Sequence, residues 1–220
     1  MAADDTPDEQ VRVGERRPGG RSARVRASVL AAAAELLDEA GYDALSTDEV
    51  AKRAGVHRTT VYRRWPTKPE LVADAVGLHA EEHIPIPDTG ALDDDLQALA
   101  MAVATNLVSG RPGTSRSLVA AAATSEPLAE SLNEFMERRM LLSEPIVERA
   151  VERGEIPAGT DPRAIIEPVV GAMWFRFLLT GGSLDERFIT AVAEVVARGA
   201  GAAADDADGA ADDGHEDETR

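Results

Sequence analysis

Apolar positions recur at three-to-four spacing through most of this chain. Val25, Val29, Ala32, Ala33, Leu36 and Leu37 form the first stripe, and Gly41 follows it. The pattern predicts a helix from Ser22 to Ala40. Val50, Ala51 and Ala54 carry the period into a short second helix, with Ser46 and Glu49 at the spacing of a capping box. Gly55 comes next, where a helix end favours a residue that tolerates positive φ. A third helix is read from His57, with Val61 and Trp65 at i, i+4 as its inward side. Thr67 opens a fourth, with Pro69 in its first turn and Glu70 completing a second capping box. Its apolar residues are Leu71, Val72, Ala75, Val76 and Leu78, and it ends before the stiff linker Ile84-Pro-Ile-Pro-Asp-Thr-Gly90.

The remaining pattern is helical too. Residues 91–109 carry the stripe Leu92, Leu96, Leu99, Val103 and Leu107, and Gly110-Arg-Pro-Gly113 breaks it. A short Ala-rich helix is read over 114–124. A long one runs from Ser125 to Arg153, with a kink predicted at Pro145. Asp161-Pro162 opens an eighth helix, closed by Gly181-Gly182. Ser183-Leu-Asp-Glu186 reads as a further capping box, starting a ninth helix through Phe188, Ile189, Val192, Val195 and Val196 to Gly199. The expected fold class is all-α, a three-helix helix-turn-helix head on a multi-helix body, about nine helices in total. The expected divisions are an arm at 1–21, a head at 22–66, a body at 67–199 and an acidic tail at 200–220. Arm and tail lack a periodic apolar face and are read as disordered, the arm being partly basic from Arg12 to Arg21.

The outward side of the third helix carries the chemistry. Two short helices, a Gly-containing turn and a second helix crowded with donors describe a helix-turn-helix. Arg58, Thr59, Thr60 and Tyr62 are the candidates for base edges, because guanidinium, hydroxyl and methyl groups suit the major-groove pattern. Thr47, His57, Arg63, Arg64 and Lys68 are the candidates for phosphates. Lys68 stands at a helix N-terminus, where main-chain N–H groups add to its charge. Trp65 is assigned a structural role, closing the head against the fourth helix.

The tract Gly55-Val-His-Arg-Thr-Thr-Val-Tyr-Arg-Arg-Trp-Pro-Thr-Lys-Pro-Glu-Leu71 resembles the tetracycline-repressor (TetR) family of transcriptional regulators. The aromatic-Pro-Thr-Lys-x-Glu-Leu run and the Ala-rich helix before the hairpin carry the likeness, over about residues 22–76. His57 departs from the Ser or Thr that often caps the recognition helix in this family, and Thr59 stands where Gly is common. The resemblance implies a ligand-responsive repressor that binds a palindromic operator as a homodimer. It implies a dimer made by the last two long helices, eight and nine; the wide apolar face of Ile165, Ile166, Val169, Val170, Met173, Trp174, Phe177 and Leu178 agrees with that. It also implies a small-molecule effector in the body. Val103, Asn106, Leu107, Phe135, Met136, Met173 and Trp174 are candidate lining residues, with Arg139 and Arg176 as polar anchors. An activator or architectural DNA binder on the same fold is the alternative.

Charge refines this picture. The net charge of −17 looks wrong for a DNA binder, but its distribution does not. Residues 11–70 hold twelve Lys/Arg against eight Asp/Glu, a net +4, and the last nineteen residues hold eight carboxylates. There is no Cys, which excludes disulfides, Cys-ligated zinc and thiol catalysis. No run of 18 apolar residues appears, so neither a membrane partner nor a membrane span is expected, and the cytoplasm is the expected location. His79-Ala-Glu-Glu-His83 matches a zinc-protease pattern in letters, leaving a remote reading as a metal-dependent enzyme. It abuts Pro85 and has no third ligand in view, so a solvated helix end is the preferred reading: no enzyme, no metal, no cofactor.

Overall fold

The computed structural model describes residues 19–109 and 114–212, and among these it holds nine α-helices and no strand. The helices are α1 (Gly19–Ala44), α2 (Thr47–Arg53), α3 (Arg58–Arg64), α4 (Lys68–His83), α5 (Leu92–Ser109), α6 (Thr114–Ala122), α7 (Glu126–Glu152), α8 (Pro162–Phe175) and α9 (Glu186–Asp212). A π-helical turn, Arg176–Thr180, continues α8. The all-α expectation holds. The arm up to residue 18, the break at 110–113 and the tail from 213 lie outside the described residues.

Local chemistry sets the boundaries. Gly41 has φ 78° and ψ 174°, which breaks α1 where the sequence ends its first helix. Ser46 caps α2 by accepting from the Glu49 N–H at 3.2 Å, while Glu49 itself pairs with Lys52 at 3.6 Å. Thr67 and Glu70 form both halves of the capping box on α4. Asp161 accepts from the Arg163 N–H at 2.9 Å, with Pro162 as the first residue of α8. At α9 the cap is Asp185, which accepts from the Phe188 N–H at 3.0 Å; the anticipated Ser183 does not fill that place. α7 continues through Pro145 as one helix. Pro145 has no N–H for the Leu141 carbonyl, and Leu141 is exposed, so water can serve that oxygen instead. α9 also overruns its expected end at Gly199 and reaches Asp212, through a run in which seven Ala favour the helix while Gly201, Gly209 and four Asp do not.

The apolar stripes assemble into two clusters. One joins Val29, Leu30, Ala33 and Leu37 of α1 with Val50 of α2, Val61 of α3, Trp65, Leu71 and Val72 of α4, Leu118 of α6 and Leu128 of α7. The expected division at residue 66 runs through this cluster, since α4 lays one face on the head. The other joins Leu96, Leu99 and Val103 of α5 with Ile146 and Val147 of α7, Ile166, Val169 and Met173 of α8, Phe177 and Ile189. The linker between α4 and α5 is pinned from below: Arg139 donates to the Ile84 carbonyl at 2.8 Å, Arg149 to that of Pro87, and Glu155 accepts from the Leu92 N–H at 2.6 Å. α4 therefore bridges the two clusters with both of its ends fastened.

Candidate functional site

The recognition helix α3 is short, and its inner and outer sides are sharply divided. Val61 is fully buried and Trp65 at its C-cap nearly so. Arg58, Thr59, Tyr62, Arg63 and Arg64 are exposed, Tyr62 at 45%, and Thr60 is half-buried. His57 is the N-cap. Its Nδ1 accepts from the Thr59 N–H at 3.4 Å and lies 2.9 Å from the Thr59 hydroxyl. An imidazole thus takes over the capping work of a hydroxyl, and it ties Thr59 into the start of the helix.

A set of polar contacts fixes this helix to its neighbours. The Trp65 indole N–H donates to Asp74 Oδ2 of α4 at 3.0 Å, and Arg26 of α1 meets the same oxygen at 3.3 Å. Arg26 is therefore engaged inside the head and is not a free basic group at its surface. Arg53 is likewise held, by Glu39 at 2.8 Å and Glu35 at 3.9 Å across α1. The Lys68 ammonium donates to the Asp43 carbonyl at 3.2 Å and sits 4.3 Å from the centre of the Tyr42 ring. Partial burial lowers its pKa from the usual lysine value, and Asp43 opposes that shift. Lys68 is thus preset at the head of α4. Thr47 is placed differently from expectation: it is 7% exposed, packed at the first turn of α2, and its side chain is not laid open like those of α3.

His79 and His83 pack against each other on α4. Their rings stack at 4.1 Å, and His83 Nδ1 lies 2.8 Å from the His79 carbonyl. Among the described residues no group of three His, Cys, Asp or Glu side chains is placed to hold a metal ion. His79 instead lines a cavity of about 690 Å³ that reaches from α1 and α4 across to α8. Burial chiefly, then His83, lowers the His79 pKa, while Asp38 and Glu82 raise it.

Seven of the residues assigned to a pocket from the sequence line this cavity: Val103, Asn106, Leu107, Phe135, Met136, Arg139 and Trp174. Met173 does not; it is fully buried in the body core. Arg176 does not either, since its guanidinium stacks on the Phe188 ring at 3.9 Å. The sequence missed the upper wall, which Leu37 and Asp38 of α1 and Val76 and His79 of α4 supply. Leu37 and Val76 sit on stripes that look like ordinary core, and Asp38 and His79 look like solvated helix positions in the sequence.

Comparison with known proteins fits this geometry. A family model described as "Bacterial regulatory proteins, tetR family" matches residues 29–75. A second, "Tetracyclin repressor-like, C-terminal domain", matches residues 86–196. The chain belongs to the TetR family. The HTH-type transcriptional regulator AqdR of Rhodococcus erythropolis is 35% identical over 66% of this chain and 70% of its own length. The DNA-binding transcriptional repressor TetR of Mycobacteroides abscessus is 34% identical over 74% of this chain and 86% of its own. Among solved structures, the TetR family transcription regulator SCO0332 superposes with a TM-score of 0.70 at 30% identity, covering 80% of this chain and 98% of that one. This TetR-family chain is a DNA-binding, helix-turn-helix transcriptional regulator and not an enzyme. Among its described residues no helix is long and apolar enough to cross a membrane.

Proposed function

We propose that this protein is a ligand-responsive repressor that binds a palindromic operator as a homodimer. The observation that carries the DNA-reading half is the row of exposed donors on α3, backed by a buried Val61 and Trp65 that fix its direction. In this reading Arg58, Thr59, Thr60 and Tyr62 meet base edges, while His57, Arg63, Arg64 and Lys68 hold phosphates. Thr47, being buried, contributes less than the sequence suggested. A single short helix reads few base pairs, so two heads related by a two-fold axis are needed for a specific site. The C-terminal hairpin supports that dimer. Phe175 is 58% exposed, Leu179 74% and Val195 65%, an apolar cost that a second copy would relieve. Repression is drawn from the Mycobacteroides abscessus relative, a DNA-binding transcriptional repressor, and effector response rests on the cavity under α4.

The test is selection of genomic fragments by the purified protein near physiological salt, followed by sequencing. A palindromic consensus is the expected result. Weak binding without a motif would overturn the reading.

A further inference from the structure

His57 and Thr59 both depart from the residues common at their positions in the TetR family, and the two side chains touch. His57 Nδ1 lies 3.4 Å from the Thr59 main-chain nitrogen and 2.9 Å from the Thr59 hydroxyl oxygen. A main-chain N–H only donates, so Nδ1 accepts from it and carries no proton. The proton of the uncharged ring is therefore on Nε2. An unprotonated Nδ1 at 2.9 Å from a hydroxyl oxygen sets the direction of that contact too, because two lone pairs facing each other repel. The hydroxyl donates and the ring accepts. Thr59 has one hydroxyl proton, and His57 holds it. The exposed side chain is left with oxygen lone pairs and a methyl group to present.

We infer that Thr59 reads its base as a hydrogen-bond acceptor only, with His57 as the positioning residue that fixes this direction. The inference rests on the reading of α3 as the base-contacting helix, and it names what one side chain of that helix recognises. In the major groove the base donors are the exocyclic amino groups, N6 of adenine and N4 of cytosine. Guanine N7 and O6 and thymine O4 are acceptors, and a hydroxyl with no proton to give cannot satisfy them. A threonine free to turn its proton either way serves both kinds of base; one held by an imidazole does not. Thr59 thus selects adenine or cytosine at one position of each half-site. Donation to His57 also makes the hydroxyl oxygen a stronger acceptor, since hydrogen bonds in a chain polarise one another.

The test starts from the operator found by fragment selection. Competition binding to duplexes carrying every single base-pair change in a half-site gives the discrimination at each position. It is run with the full chain at about pH 8, where a free imidazole is uncharged. At one position the parent should bind adenine or cytosine about fivefold more tightly than guanine or thymine. Thr59→Val keeps the shape and the methyl and should abolish that preference, leaving the other positions as they were. Thr59→Ser keeps the hydroxyl and should retain it. His57→Ala releases the hydroxyl, so guanine and thymine should gain on the amino bases at this position alone. Discrimination is a ratio within one variant, so a uniform loss of affinity from the missing cap does not move it. A preference for guanine or thymine that Thr59→Val removes would make Thr59 a donor and overturn the inference. So would an amino-base preference that survives His57→Ala undiminished. A motif that Thr59→Val leaves intact at every position overturns this inference alone, whereas a parent that enriches no motif overturns the base-reading proposal and this inference with it.

Discussion

Arg58 and Lys68 carry the same charge, and their surroundings give them different work. Arg58 is the first residue of α3, exposed on its outer side. Arg58→Ala should lower discrimination between operator and scrambled DNA by about 1–3 kcal/mol, read by competition binding. Equal discrimination by variant and parent would remove Arg58 from the base-reading set. Lys68 is already positioned by the Asp43 carbonyl and the Tyr42 ring. Lys68→Ala should weaken all DNA alike and cut the slope of log affinity against log salt by about 1. The direction of α3 was legible in the sequence, because Val61 and Trp65 mark the inner side and leave the donors no other place. The fate of single polar groups was not. Nothing in the order of residues shows that Arg26 would meet Asp74, or that Thr47 would be buried, since both depend on helices packed from far along the chain.

Helices declared themselves through caps and periods, and their exact ends depended on competition among neighbouring polar groups. Thr67, Glu70 and Pro69 placed the start of α4 correctly because three signals agree there. At α9 two residues competed for the cap, and Asp185 prevailed over Ser183. The cavity wall was half legible: α5, α7 and α8 could be assigned, but α1 and α4 join it only through the tertiary fold. α4 offers its own test. Since burial and then His83 depress the His79 pKa, the folded state prefers the neutral ring. As pH falls, the unfolded chain takes up this proton first, so stability rises with pH below about 6.5, the ordinary imidazole value, and levels off under the folded pKa. Melting temperature should fall less between pH 7.5 and 5.5 for His79→Gln than for the parent. An identical fall would show that other groups set the dependence.

The whole molecule separates its charges and its apolar faces by position. A net +4 over residues 11–70 stands against −17 for the chain, which steers DNA toward the head and away from the body. If the proposed dimer forms through the C-terminal hairpin, Leu179→Glu together with Val195→Glu should yield a monomer by sedimentation, with little change in helix content. A dimer that persists would move the interface elsewhere. Asp74→Ala should cost about 1–3 kcal/mol in denaturant unfolding, because it strips the buried Trp65 indole of its acceptor. That carboxylate oxygen has a mechanical meaning as well. It sits on α4 and is gripped by the end of α3 and by α1 at once. The joint between head and α4 is thus braced from two sides at one atom. A shift of α4 at Asp74 would have to carry the end of α3 with it or break both contacts.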